Sequence, residues 1–455
     1  VKALGQYKLS LRARARRLRE QKLLDRIFAE TGEILDSASL RRKLGEELER
    51  SLSIIREELS KILYHWYDEP PSAYVELNAE KFKQLLEEFN LSWRAIIPEG
   101  RKTVKIKVGE LLELCKRFGL DPNLLEERAV FTRKFPVNLR SRALIKLKTH
   151  ILNEGSISLR TNRRQPKAKY INKDPALHKY VMDLLRQLGA PRLKPPKYRE
   201  DKNAYVTYLD SATARILHRA GIPIGAKTVT NPSLDPKVYV DPELQRYHFQ
   251  ATLTEEGTSI VRVKGRRVAM RISWARGIDI TDKLTEEQKE KLKEIIGPVG
   301  RIALGKLMDK IEDEKMSSDI LEVIERNKPK LINEEVALLN QLYKKQVEPR
   351  FVEAYPERMQ LSKEGRFTVL WRAYMDKPKA IDIIVREYGA LPGTWKDERL
   401  RRQYEIFLKY RGRKLREKEI IEIKKQINSI PSRMPKEWRV RKFEEIFGRI
   451  AEDIK

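Results

Sequence analysis

Two segments of this chain put a carboxylate where a helix disfavours one. Leu147-Lys-Thr-His-Ile-Leu-Asn-Glu154-Gly155 runs into Ser156-Ile157, and Phe249-Gln-Ala-Thr-Leu-Thr-Glu-Glu256-Gly257 runs into Thr258-Ser259. Each reads as an apolar helix that ends in an acid, then a glycine, then a strand. The glycines predict left-handed helix caps that turn the chain sharply. The acids do nothing for the helices, whose C-termini repel negative charge. If the two helices lie side by side, Glu154 and Glu256 meet, and close carboxylates do not both stay ionised without a cation between them. A shared divalent ion, Mg²⁺ by ligand hardness, suits such a pair of metal ligands. It would activate water and stabilise a leaving oxygen in phosphodiester hydrolysis. The plainer reading is two solvated acids at helix ends.

Composition narrows the partner. The 455 residues hold 95 Lys plus Arg against 66 Asp plus Glu, a net +29, which points to a polyanion, nucleic acid before acidic lipid. A hydrophobic share of 40% with 35% charged residues fits a folded chain, and the length predicts about three domains. Cys115 is the lone cysteine, which excludes intramolecular disulfides and Cys-built zinc or iron–sulfur sites. His65, His150, His178, His218 and His248 are scattered, so a His-based zinc enzyme is not expected. No apolar run approaches the roughly 20 residues of a membrane span, and the basic start lacks a leader core. A cytoplasmic protein is expected, and the high charge suits a thermophile.

The charge is concentrated. Residues 129–236 carry 22 Lys or Arg against 7 acids, a net +15. Arg160, Arg163, Arg164, Lys167, Lys169 and Lys173 follow one another with no acid between them. The flanking residues alternate as paired strands, which places the basic side chains on one sheet face suited to phosphates and grooves. Lys194 and Lys197 extend that face. Arg262, Lys264, Arg266, Arg267 and Arg271 supply a matching set after the second motif. Two further basic stretches lie at 8–19 and 399–418. In the second, Tyr404, Phe407 and Tyr410 recur at spacing three, which predicts a core stripe before base stacking.

The elements that must position these residues fall into four regions. Residues 1–130 read as mainly helical, with a long helix over 39–66 and a possible helix-turn-helix. Residues 131–240 read as a helix, two strands, a helix, two strands and a helix, ending in Gly221-Ile-Pro-Ile-Gly-Ala-Lys227. Residues 241–396 repeat that αββαββα order, with a helical insertion at about 282–330, and end in Gly389-Ala-Leu-Pro-Gly-Thr-Trp-Lys396. Residues 397–455 read as basic and helical. Two like halves in one chain imply an internal pseudo-twofold axis, matched to duplex DNA.

The paired motif, the repeated order and the two Gly-Pro-Gly endings resemble the LAGLIDADG homing endonuclease family over about 129–396. The resemblance implies an α+β fold of two pseudo-symmetric half-domains that form a saddle, flanked by mainly helical regions. It implies motif helices at the interface between the halves, sheets in the DNA major groove, and catalytic metals on Glu154 and Glu256. Lys173 falls where the family often has a polar or basic residue near the reacting phosphate. Lys148, Thr149, Gln250 and Ala251 occupy positions where the family prefers small residues, so a splayed or rearranged helix contact is expected. His150 and Asn153 also depart from the family pattern. Two functions are expected from this. One is a site-specific, Mg²⁺-dependent double-stranded DNA endonuclease acting as a monomer. The other is a non-cleaving DNA- or RNA-binding factor, such as a transcription regulator or ribosome-associated protein. Duplex DNA is favoured over structured RNA, and no membrane is expected as partner.

Overall fold

The computed structural model describes residues 63–92, 96–159, 166–191, 193–343, 346–347 and 350–448. The basic stretch at 8–19, Arg160, Arg163 and Arg164 lie outside them. Leu63–Tyr64 form strand β1 and Trp66–Asp68 a 3₁₀ turn, so the helix expected over 39–66 does not run through its last residues. Strand β2 (Tyr74–Asn78), helix α1 (Ala79–Glu88), strand β3 (Thr103–Lys107), α2 (Val108–Phe118) and α3 (Pro122–Glu127) come next. Asn78 and Asp121 cap α1 and α3 by accepting from backbone N–H groups, and Gly119 ends α2 at φ +66°. β2 and β3 pair antiparallel, so this unit is mixed, not a bare helix-turn-helix. Two contacts fasten it to the first repeat: β1 pairs with β4 (Val137–Asn138), and Arg215 forms a buried ion pair with Glu69.

The first repeat comprises α4 (Arg142–Glu154), β5 (Gly155–Leu159), β6 (Pro166–Asn172), α5 (Pro175–Gln187), β7 (Lys197–Arg199), β8 (Ala204–Leu209) and α6 (Ser211–Arg219). Ser141, Asp174 and Asp210 cap its three helices, and Pro175 opens α5, where a missing N–H costs nothing. A single turn, α7 (Lys227–Thr230), leads to the second repeat. That repeat begins with α8 (Pro242–Glu255), capped by Asp241, then β9 (Thr258–Lys264) and β10 (Arg267–Asp279). Next come α9 (Glu286–Ile296), β11 (Gly300–Ala303), α10 (Leu304–Met308) and α11 (Glu314–Arg326). The inserted segment is therefore not all helical, because β11 pairs with the edge of the second sheet. The repeat is completed by α12 (Lys330–Tyr343), β12 (Glu353–Leu361), β13 (Phe367–Met375) and α13 (Pro378–Glu387). The chain closes with α14 (Trp395–Tyr410), α15 (Glu417–Asn428) and α16 (Lys436–Phe447). Helix α14 runs straight through the domain boundary expected at 396.

The two sheets share one strand order. The first is β5-β6-β8-β7, and the second is β9-β10-β13-β12 with β11 added beyond β12, antiparallel throughout. Each sheet turns its apolar face, including Tyr170 and Tyr205 or Trp274 and Trp371, onto the helices; Tyr205 with Phe443 forms a smaller cluster under α16, and one large core reaches all four regions. Tyr404, Phe407 and Tyr410 belong to that core, at 9%, 1% and 4% exposure, as the spacing of three predicts. Stacking on a base is closed to them.

Candidate functional site

Helices α4 and α8 run side by side in the same direction. At their starts Arg142 reaches Asp241 at 2.8 Å and Lys146 reaches Glu243 at 2.6 Å. At their ends the Asn153 amide donates to the Glu255 carboxylate at 2.5 Å. Glu154 and Glu256 thus come to the same end of the helix pair. The bulky residues expected to splay the helices do not face the contact. Lys148 turns away to the Asp235 carboxylate and the Ala220 carbonyl, both at 2.5 Å. Gln250, 102 positions on, turns away likewise and donates to the Tyr388 carbonyl at 2.7 Å. Ala220 and Tyr388 each stand just before the glycine that opens a Gly-Pro-Gly ending, so the repeat extends to its hydrogen bonds.

The motif glycines are not left-handed caps. Gly155 has φ −96° and ψ 178°, which is extended backbone. What demands glycine is proximity. A Cβ at Gly155 would lie 2.7 Å from Ile151 Cα, and one at Gly257 would lie 2.2 Å from the Leu253 carbonyl oxygen. The strand leaves so close to the last helical turn that no side chain fits.

The last residue of each ending braces a motif helix. Lys227 donates to the carbonyls of Leu152 (2.9 Å), Ile151 (3.4 Å) and Asn153, and Lys396 to those of Glu255 (2.9 Å) and Gly257 (2.7 Å). A cation at a helix C-terminus satisfies orphan carbonyls and complements the dipole. Each lysine also lines the cleft of the other helix's acid. Glu154 and Lys396 share a cleft of 740 Å³, and Glu256 and Lys227 share one of 410 Å³. Sequence reasoning missed both lysines, although their recurrence at the close of matched endings was the available signal.

The two acids differ in their surroundings. Burial, then the charges of Glu256 and Glu255, push the Glu154 carboxyl up to about 8. Burial also raises Glu256, but Arg276 opposes it from 3.4 Å. Ser156 pairs with Lys169 and Thr258 with Ser273, so Arg276 is the register counterpart of uncharged Asn172. Glu335 on α12 holds Arg276 (2.8 Å), His248 (2.9 Å) and Trp274 (2.7 Å). Although burial works the other way, Arg276 and His248 hold the Glu335 carboxyl down at about 2. A third acid, Glu255, is buried between the helices on His150 (2.6 Å), Asn153 and Tyr170, and His150 reaches on to Tyr247 at 2.7 Å. The departures at His150 and Asn153 are therefore explained: both serve Glu255. Among the described residues no cluster of three or more His, Cys, Asp or Glu could hold a metal ion. A cation on Glu154 and Glu256 would take its remaining ligands from water or a phosphate, as Mg²⁺ commonly does.

Of the expected basic residues, Lys167 and Lys169 alternate with buried Ala168 and Tyr170 and stand on the open face of the first sheet. Lys197 shares that face through its pairing with Val206, while Lys194 is exposed on the approach to β7. Lys167 also lies 4.9 Å over the half-exposed Tyr208 ring. In the second sheet Arg262, Lys264, Arg267 and Arg271 share the open face, by the pairs Lys264–Arg267, Arg262–Ala269 and Ile260–Arg271. Arg266 sits in the β9–β10 turn, 3.5 Å from Glu417 on α15, and its carbonyl accepts from Leu415. Arg358 and Arg372 join the second face and line the Glu256 cleft, and they were not anticipated. Lys173 is exposed in the Glu154 cleft. Among the described residues no helix is long and apolar enough to cross a membrane.

No family model and no curated protein matches this sequence. Solved structures give weak likenesses. One is the LAGLIDADG homing endonuclease I-GzeII in complex with its DNA target, at 10% identity and TM-score 0.30, covering 65% of this chain and 99% of that one. Another is the LAGLIDADG meganuclease I-AabMI bound to uncleaved DNA, at 13% and 0.31, covering 63% and 99%. A third is full-length DUF199/WhiA from Thermatoga maritima, at 10% and 0.27, covering 69% and 88%.

Proposed function

We propose that the protein binds duplex DNA across its two open sheet faces and cleaves it at the end of the α4–α8 pair. The observation that carries this reading is that Glu154 and Glu256 come to the same end of the helix pair, near enough for the charge of Glu256 to raise Glu154, each in a cleft with a lysine of the opposite ending. The twin sheets would act as the two arms of a pseudo-symmetric saddle and the chain as a monomer, with Mg²⁺ held by Glu154 and Glu256. When bound, such an ion supplies water activation and charge neutralisation. The donor set fits it: two carboxylates, with burial and the charges of Glu256 and Glu255 raising Glu154 against the pull of Lys227 and Lys396. Lys396, with two of its three donors on carbonyls, keeps one for a phosphate oxygen, and Lys173 lines the same cleft; Lys227, with three carbonyl partners, positions the helix end. Lys167, Lys169 and Arg262 to Arg271 neutralise backbone phosphates, which gives affinity a steep salt dependence.

A second reading has its own support. Arg276 already neutralises Glu256, and both cleft lysines are engaged on carbonyls. A protein so arranged binds nucleic acid without cutting. The experiment that separates the two incubates the protein with a random duplex library and Mg²⁺, beside a Glu154→Gln, Glu256→Gln variant. Cuts made only by the parent protein support hydrolysis. Selected binding that is identical in both, with no cut, leaves the binding function alone.

A further inference from the structure

The Glu154 cleft has a roof that the αββαββα repeat does not supply. Helix α16 reaches from the second half to the first. Its Trp438 donates to Glu398 on α14 at 3.0 Å, and Phe443 stacks on Tyr205 with centroids 4.7 Å apart. The loop before it and its first turn bring Arg433, Met434, Lys436 and Arg439 to the cleft wall.

Lys173, Lys396, Arg433, Lys436 and Arg439 outnumber Glu154, Asp174 and Glu255 around this space. Asp174 accepts from the Ala176 and Trp395 backbones, and Glu255 is taken by His150, Asn153 and Tyr170. Arg439 is 7% exposed and donates through NH1 to the Asn203 side chain at 2.8 Å, while its buried Nε has no partner among the described residues. A guanidinium with a spare donor is a phosphate ligand in waiting. Arg433 and Lys436 are exposed on the rim. Tyr198, under the Arg439 guanidinium at 5.2 Å, and Met434 supply a flat apolar wall.

Size decides what can enter. At 740 Å³ the cleft falls in the range of roughly 300–1,000 Å³ that holds small ligands. A duplex, whose major groove alone is about 12 Å wide, does not fit within that volume, so the part of the cleft beneath α16 takes only a strand that has left the duplex. We propose that the cleft is a subsite for an unpaired nucleotide of the bound strand, its phosphate on Arg439, Arg433 and Lys436 and its base against Tyr198 and Met434. This rests on the nucleic-acid-binding reading above and adds to it a preference for frayed or tailed ends.

The test uses the full chain and fluorescence anisotropy at one salt concentration. The probes are a blunt duplex, the same duplex with an unpaired tail, and the tail alone, each as DNA and as RNA. An Arg433→Ala, Lys436→Ala variant removes two exposed cations and leaves the anchors of α16 in place. The parent protein should prefer the tailed duplex by about tenfold, the worth of one stacked base. The variant should lose that preference and bind the blunt duplex unchanged. Equal affinity for tailed and blunt duplex in the parent protein, or equal weakening of both in the variant, overturns the subsite. Binding of the tail but of neither duplex keeps the subsite and removes the duplex reading; binding of nothing removes both. The DNA and RNA arms assign the sugar.

Discussion

The Arg276 guanidinium lies 3.4 Å from the Glu256 carboxylate, while among the described residues no ion pair reaches Glu154. The two acids of the repeat are alike in position and unlike in charge. The asymmetry comes from Glu335, which anchors Arg276 in the second half; the register position of Arg276 is Asn172 in the first.

Glu154 should therefore report on pH. Its carboxyl rises from the ordinary 4.5 to about 8 on folding, so the folded state holds one proton more than the unfolded between those values. Stability then falls as pH climbs from 4.5 to 8 and stays reduced above. Glu154→Gln should gain on the order of 1–2 kcal/mol over the parent at pH 9 and little at pH 4, read by urea denaturation. An equal effect at both pH values contradicts the assignment.

Glu335 gives the opposite sign. Its carboxyl falls from 4.5 to about 2 on folding, so its contribution is complete above 4.5 and fades as pH drops through 2. Glu335→Ala leaves the buried Arg276 with Glu256 alone and takes the acceptor from His248 and Trp274, and should cost about 3–5 kcal/mol at neutral pH. Thermal melts across pH 2–7 should show a shallower acid decline in the variant than in the parent.

Lys227→Met and Lys396→Met keep the apolar stems and remove the ammonium groups from the helix ends. Each leaves carbonyls unsatisfied and should cost roughly 1–3 kcal/mol. If the protein cleaves DNA, both variants should also lose cleavage while blunt-duplex affinity changes little. Wild-type stability in both would show that the carbonyl contacts carry no weight.

Gly257→Ala would drive a Cβ to 2.2 Å from a backbone carbonyl and should destabilise by about 1–3 kcal/mol. Gly305→Ala, in open space on α10, should be neutral or stabilise by up to about 1 kcal/mol. Similar losses at both positions would refute the close-approach account.

Lys167→Ala with Lys169→Ala, and Arg262→Ala with Arg267→Ala, each remove two cations from an open sheet face. Each pair should weaken duplex binding across all sequences and lower the log–log salt slope by about two. An unchanged slope would place the duplex elsewhere.

The αββαββα order of the two repeats, and the place of Glu154 and Glu256 at the ends of their first helices, were legible because they are local. Period-two alternation sets which side chain of a strand faces out, so Lys167 and Lys169 could be assigned a face from sequence, and the spacing of Tyr404, Phe407 and Tyr410 already read as core. The reason for Gly155 and Gly257 was not legible, since a left-handed turn and a close approach both ask for glycine. Nor could sequence assign partners. Lys148 turning to Asp235, Lys396 sharing a cleft with Glu154 and Arg276 dividing itself between Glu335 and Glu256 bring together residues 20 to 242 positions apart. Such pairings are fixed by how the two halves and α16 pack, because burial forces each charge onto whichever partner the fold brings near. Sequence set which residues could do chemistry here; only the tertiary structure decided which of them stand together, and that the two acids are not equals.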